Sequence, residues 1–282
     1  MIEIDASLSR QQPITRYVSL AKFLDLVKRK RLYFSALSRF QDQHEGSSTN
    51  LNMYADTGLF DAIHAFANYF STAALDVNIS ADERDRLRRE GNAIRSKKRT
   101  LQTPFGDFDI TEPGRYQEVM KAQRDWIDVS SWHRNDDESL AMWKVYGSGT
   151  ESVCIISSVD ALAKSLAPPN DLTVDIHPVH YIDHTNDYFR TAHRLDAAIH
   201  KQKPYSYENE IRALALCGSS VILSPRHERG RYIAAEPATL ITALRLSPQA
   251  PRWFRELIES ETSSLQIPIY QSALDEPPIF GD

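Results

Sequence analysis

The amino-acid sequence predicts an α+β protein: a mixed, mainly antiparallel sheet with helices around it and one helical insertion. Three observations predict it. Short β-branched and aromatic runs alternate with stretches of helical period, as in "ITRYVS" before "LAKFLDLVKR" and "SVCIIS" before "SVDALAKSLA". A long middle stretch, residues 51–125, reads as mostly helical, and no internal repeat occurs. The composition, 41% hydrophobic and 25% charged over 282 residues, is that of a chain able to bury a core.

The elements follow in order. Ile14 to Val18 reads as a strand, and Ser19 stands where it can cap a helix whose Leu20, Phe23, Leu24 and Val27 share one face. Lys28 to Arg31 close that helix, where cations suit its negative end. "RLYFSAL" is a second strand, so Arg16 and Ser35 lie on the two strands of a β-α-β start. Residues 51–125 form a helical insertion or lid on one α+β domain spanning 1–282. Within it Ser80 and Glu83 make a capping box, and "SKKRTLQTPFGDFDITEPG" is a loop.

From residue 127 the pattern alternates again. "IDVSSWHR" is a strand, "ESLAMWKVYG" a helix ended by Gly147, and "LTVDIHPVHYID" is extended with a break at Pro178. A helix over about 187–201 leads into "KPYSYENEIRALAL", which reads as a strand. After "VILS" and the charged loop "PRHERGRY" come the strand "LITALRLS", the helix "PRWFRELIES" and a last strand near "LQIPIY".

Several function classes are disfavoured. The net charge of −5 argues against a chain wrapped around nucleic acid. No apolar run approaches the roughly 18 residues of a membrane span. "MIEIDASLSRQQP" has neither the basic nor the apolar region of a secretory signal. Cys154 and Cys217 sit in apolar runs and read as reduced, buried thiols, so the expected location is cytoplasmic. His177, His180 and His184 look metal-like at first sight. On an extended segment His177 and His180 face opposite sides, so no metal is expected there. No CxxC, HExxH, P-loop or GxSxG motif occurs.

The stretch with most chemistry is "SYENEIR". Read as a strand, it puts Glu208, Glu210 and Arg212 on one face, where like charges repel. Either they form a charge ladder on an edge strand, or they line a cleft. His133, at a strand end beside Trp132 and Arg134, reads as a turn residue or a functional one.

Three stretches carry a resemblance. "LYFSALSRFQDQHEG", "SWHRNDDESLAMWKVYG" and "PYSYENEIRA" resemble a bacterial domain family of unknown function that reads "LYFS…FNDPFE", "FS…MW…Y" and "W.YE.E.R" there. The span runs from about Tyr17 to Arg212. Asp42 and Glu45 match the first pattern, while Gln43 and His44 replace its Pro-Phe. That resemblance implies a prokaryotic protein of the kind associated with phage defence.

A second resemblance is to ADP-ribosyltransferases of the arginine–serine–glutamate type. Arg16 precedes the first helix, Ser35 follows it, and Glu208-Asn209-Glu210 comes late, though the usual Ser-Thr-Ser neighbours are missing. This resemblance implies an NAD-dependent ADP-ribosyltransferase or NAD glycohydrolase-like effector of defence or toxin type, with NAD as substrate and a protein or nucleic-acid acceptor. Arg16 would bind the pyrophosphate, Ser35 the ribose, Glu210 would stabilise the oxocarbenium-like state, and Glu208 would act on the acceptor. Tyr17, Tyr33 or Trp143 could stack on nicotinamide or adenine. Two alternatives stay open. One is a nuclease-like effector using Asp42, Glu45 and Glu208 or Glu210, with Lys28 to Arg31 on phosphate. The other is a non-catalytic sensor or binding module.

Overall fold

The computed structural model describes residues 1–53, 59–95, 98–112, 114–134, 137–147, 149–189, 194–218 and 222–274. The chain begins with β1 (Ile2–Ile4), β2 (Pro13–Ser19), α1 (Leu20–Arg29) and β3 (Arg31–Ala36). α2 (Asn50–Met53), α3 (Leu59–Ala73), α4 (Ala81–Arg95), the hairpin β4 (Thr100–Thr103) and β5 (Gly106–Asp109), and α5 (Arg115–Trp126) follow. Next come β6 (Asp128–His133), α6 (Leu140–Tyr146), β7 (Ser152–Ser158), α7 (Val159–Ser165), β8 (Leu166–Ala167), β9 (Leu172–Pro178) and β10 (His180–Ile182). The last third holds α8 (Asp196–Ile199), β11 (His200–Gln202), a 3-10 helix (Lys203–Glu208), β12 (Glu210–Cys217), β13 (Gly230–Ala235), α9 (Pro237–Leu240), β14 (Ala243–Leu246), α10 (Arg252–Glu261) and β15 (Ile269–Gln271).

The fold is α+β. Its main sheet has eleven strands, with the path β1-β9-β12-β6-β2-β7-β14-β15 and a branch from β6 through β3 and β13 to β8. All pairings are antiparallel except β1 with β9 and β14 with β15. The sheet forks along β6. His133 pairs with Thr15 of β2, whereas Val129 and Asp128 pair with Ser35 and Ala36 of β3. On its other edge β6 pairs with β12 over its whole length.

Each face of the sheet carries its own core. One face, with Trp132, Ile211, Ala213 and Ala215, packs on Phe23 and Leu26 of α1, Leu162 of α7, and Phe254 and Ile258 of α10. The opposite face, with Val129, Leu214 and Leu216, packs on Leu37, Phe105, Ala198 and Ile199. The alternation of β6 and β12 residues between these cores is the strand period of two.

Several sequence expectations need correction. Residues 203–208 are a 3-10 helix, not strand; Pro204 fixes its start, and Asn209 at φ +43° turns the chain before β12 begins at Glu210. β12 is an interior strand between β6 and β9, so an edge charge ladder is excluded. The helix expected over 187–201 is, among the described residues, the four residues of α8. Residues 100–109, read as loop, form the β4–β5 hairpin, and the end of the charged loop "PRHERGRY" opens β13. Ser19 stands at the α1 N-cap without a side-chain cap bond, whereas Ser80 Oγ accepts from Glu83 N at 3.2 Å as the capping box requires.

Candidate active site

Five charged side chains meet on one face of the sheet where β12 begins. Lys201 Nζ lies 3.2 Å from Glu45 Oε1, 2.8 Å from Glu208 Oε2 and 3.1 Å from Glu210 Oε2. Arg212 donates through Nε to Glu210 Oε1 at 2.9 Å, through Nη2 to Glu45 Oε2 at 2.5 Å, and through Nη1 to the Ala198 carbonyl at 2.6 Å. All five side chains are 6% exposed or less. Buried charges persist only when paired in this way, because each ion costs several kcal/mol to dehydrate.

Local backbone geometry builds the cluster. Glu210 and Arg212 share a face because they are two apart on β12. Glu208, at the end of the 3-10 helix, reaches the same ammonium because the left-handed Asn209 reverses the chain between them. Lys201 comes from β11, whose neighbours His200 and Gln202 point the other way in strand alternation. Gln202 instead donates to Asp42 Oδ1 at 2.8 Å, which ties the turn carrying Glu45 to β11. Glu45 arrives on the loop after β3, its amide bonded to the Asp42 carbonyl.

A second ring of groups surrounds these charges. His133, opposite Glu210 in register, contacts the Glu208 carbonyl through Nδ1 at 2.9 Å. Burial lowers the His133 pKa, so the imidazole is held neutral. The Tyr146 hydroxyl donates to the Glu208 carboxylate and Ser131 to that of Glu210. The Tyr181 hydroxyl accepts from the Glu210 amide at 2.8 Å, and the Tyr205 ring lies 4.9 Å from Lys201 Nζ. Tyr146 is 39% exposed and is the side of the cluster nearest water among these contacts.

The two neighbouring carboxylates titrate in opposite directions. Burial raises the Glu208 carboxyl, against the pull of Lys201. Burial alone would raise Glu210 too, but Arg212 and Lys201 overcome it and hold that carboxyl at about 2. For Lys201 and Arg212 burial favours the neutral form, and the surrounding glutamates outweigh it, so both stay charged. With three carboxylates against two cations, the site has one negative charge in excess when all are ionised.

Of the remaining residues singled out in the sequence, Tyr17 reaches the second ring, its ring 6.1 Å from that of His133, and the others lie elsewhere. Thr15 is in register with His133, so Arg16 projects to the opposite face from Glu210. There it donates to Ser130 Oγ at 2.7 Å, its guanidinium lies 5.6 Å from the Trp132 ring, and burial lowers its pKa to about 10. Ser35 is opposite Val129, four residues along β6 from His133, or about 13 Å at the strand rise. Tyr17 and Trp143 pack edge-to-face at 4.8 Å in a small buried cluster with Met142 and Cys154. Tyr33 pairs with Tyr232 on the β3–β13 ribbon. Of the residues named for an NAD site, Glu208 and Glu210 are brought together; Arg16, Ser35, Tyr33 and Trp143 are not beside them.

Lys28, Arg29, Lys30 and Arg31 are engaged with Glu261, Asp25, Glu236 and Asp25, so they do not form a free basic patch. The three histidines of "HPVHYIDH" go to three places. His177 meets Asp5 at 3.1 Å, His180 faces His200, and His184 faces His44. Among the described residues no group of three or more His, Cys, Asp or Glu is arranged to hold a metal ion.

Lys201, the hub of the cluster, carries no sequence signal. Glu45, Arg212 and Tyr146 were visible only as parts of separate short patterns, and Tyr181 not at all. No family model matches the chain, and neither a curated protein nor a solved structure matches it.

Proposed function

We propose that this protein cleaves the nicotinamide–ribose bond of NAD, as a glycohydrolase or an ADP-ribosyltransferase, at the Glu45–Lys201–Glu208–Glu210–Arg212 cluster. One observation carries the reading: Glu208 and Glu210 touch the same ammonium, yet their carboxyls are driven apart, one up and one down. Paired carboxylates with divided pKa values are the pattern of acid–base assignment in glycoside-cleaving sites.

The roles follow from the charges. Glu210, ionised throughout the neutral range, and the net negative charge of the cluster stabilise the oxocarbenium character that develops at the ribose C1′. Nicotinamide leaves neutral, taking the electron pair of the broken bond, so it needs no proton. Glu208, a stronger base than an ordinary carboxylate, takes the proton from the water or acceptor hydroxyl that bonds to C1′. Tyr146 and Lys201 hold it in place. Convergence supports the same reading. Glu45, His133 with Tyr146, and Glu208 with Glu210 and Arg212 come from the three separate stretches that resemble the bacterial family. Arg16 and Ser35 have no part in this scheme.

A metal-dependent nuclease is less well supported, because Lys201 fills the space among the carboxylates where a divalent cation would be held. The depth of burial favours a second reading, in which the cluster is a structural pin of a binding module. Release of nicotinamide from NAD by the wild type, Glu208→Gln and Glu210→Gln separates them. The enzyme reading predicts turnover in the wild type and a loss of at least a hundredfold in each variant, with circular dichroism unchanged. No release by the wild type overturns it and leaves the pin.

A further inference from the structure

A cavity of about 280 Å³ lies on the same face of the sheet as the charged cluster, between the β4–β5 hairpin and α5 on one side and α8 on the other. We propose that it binds a nucleoside 5′-phosphate, the adenosine end of the substrate, which rests on the reading of the cluster as an NAD-cleaving centre.

The lining suits a heteroaromatic base. Leu101, Met120 and Phe189 supply apolar walls, and Phe189 is itself held by stacking on His200 at 4.3 Å and 9°. A planar base gains most from such walls. Gln102 and Gln123 also line the space, and a carboxamide offers both a donor and an acceptor to a base edge. Gln123 is 3% exposed, and the hydrogen bond found for its NH2 group runs to the Met120 thioether, a much weaker acceptor than oxygen. A buried amide whose only such partner among the described residues is sulfur gains from an oxygen or nitrogen partner supplied by a ligand. At the rim Arg194 pairs with Asp107 at 2.9 Å, both about half exposed, so water screens the pair and a phosphate can replace the carboxylate at little cost.

Size and position decide what else enters. The volume is at the low end of small-molecule pockets and accommodates one nucleoside rather than a whole dinucleotide. The rest of the substrate must lie outside it. α8 gives the direction: Asp196 and Ala197 line the cavity, and the next residue, Ala198, accepts from Arg212 of the cluster. Ser48, also in the lining, is three residues beyond Glu45. The cavity and the charged cluster therefore share two walls.

Titration calorimetry of the full chain with AMP tests this. Saturable binding is expected, weakened about tenfold in Gln123→Leu, the worth of one good hydrogen bond, and similarly in Gln102→Ala at the exposed rim. Leu101→Trp, which fills the cavity, should abolish it. No AMP binding, or binding unchanged in all three folded variants, overturns the inference; so does inorganic phosphate binding as tightly as AMP. The two readings fail separately. Nicotinamide release without AMP binding removes the pocket and leaves the centre, whereas AMP binding without nicotinamide release does the reverse.

Discussion

Arg212 shows at the level of one residue what the buried charges cost and return. Its guanidinium is fully buried and satisfied by Glu45, Glu210 and the Ala198 carbonyl. Arg212→Met removes that cation and leaves three glutamates facing Lys201 alone. The expected loss is about 3–5 kcal/mol of stability, read from urea unfolding, because an uncompensated buried charge remains. An Arg16→Met substitution on the opposite face should not alter nicotinamide release if Arg16 is only stacked on Trp132 and bonded to Ser130. The sequence showed Glu208, Glu210 and Arg212 as a suspicious run. It hid Lys201, because one lysine in "IHKQK" has no period or spacing that ties it to Glu208 and Glu210, seven and nine residues on, or to the distant Glu45.

Among elements, the strands and helices with a clear hydrophobic period were legible, including β2, α1, β3, β6, β7, α7 and α10. The 3-10 helix over 203–208 was not. Its "YSYENE" has strand-like alternation, and only Pro204 and the turn-prone Asn209 signal a break. β13 was hidden by its charged flank. It begins at Gly230, whose φ of +152° and close approach to the Phe34 carbonyl and the Tyr33 hydroxyl leave no room for a Cβ. Gly230→Ala should destabilise the β3–β13 pairing by about 2 kcal/mol or more in thermal unfolding. A neutral outcome would mean that the ribbon is free to shift there.

For the whole molecule, the sheet sorts chemistry by face. One face is an apolar core under α1, α7 and α10, while the other brings the insertion, α8 and the charged cluster together. Parity along β6 and β12 decides which side chains can meet, so Arg16 and Glu210 are separated although their strands pair with the same one. The fold also has a pH signature. Burial first of all lowers the pKa of His133, His184 and His200 below 6.5, so the unfolded chain takes up their protons before the folded one does. Their contribution is complete above about pH 6.5 and falls as pH drops below it. Glu208 works in the opposite sense, its raised pKa favouring the fold at low pH and losing that contribution as pH rises above 4.5. Three groups against one predict a lower melting temperature at pH 5.5 than at pH 7.5, and an unchanged or higher value would contradict it.

The most direct measurement is a carbon-13 NMR titration of the glutamate side-chain carboxyls, with Glu208→Gln and Glu210→Gln supplying the assignments. The expected result is two separate transitions, Glu208 above the ordinary 4.5 and Glu210 near 2, with the Glu208 transition moving when Glu210 is replaced. Two carboxyls that titrate together near 4.5, or in the reverse order, would contradict the division of roles on which the proposed chemistry depends.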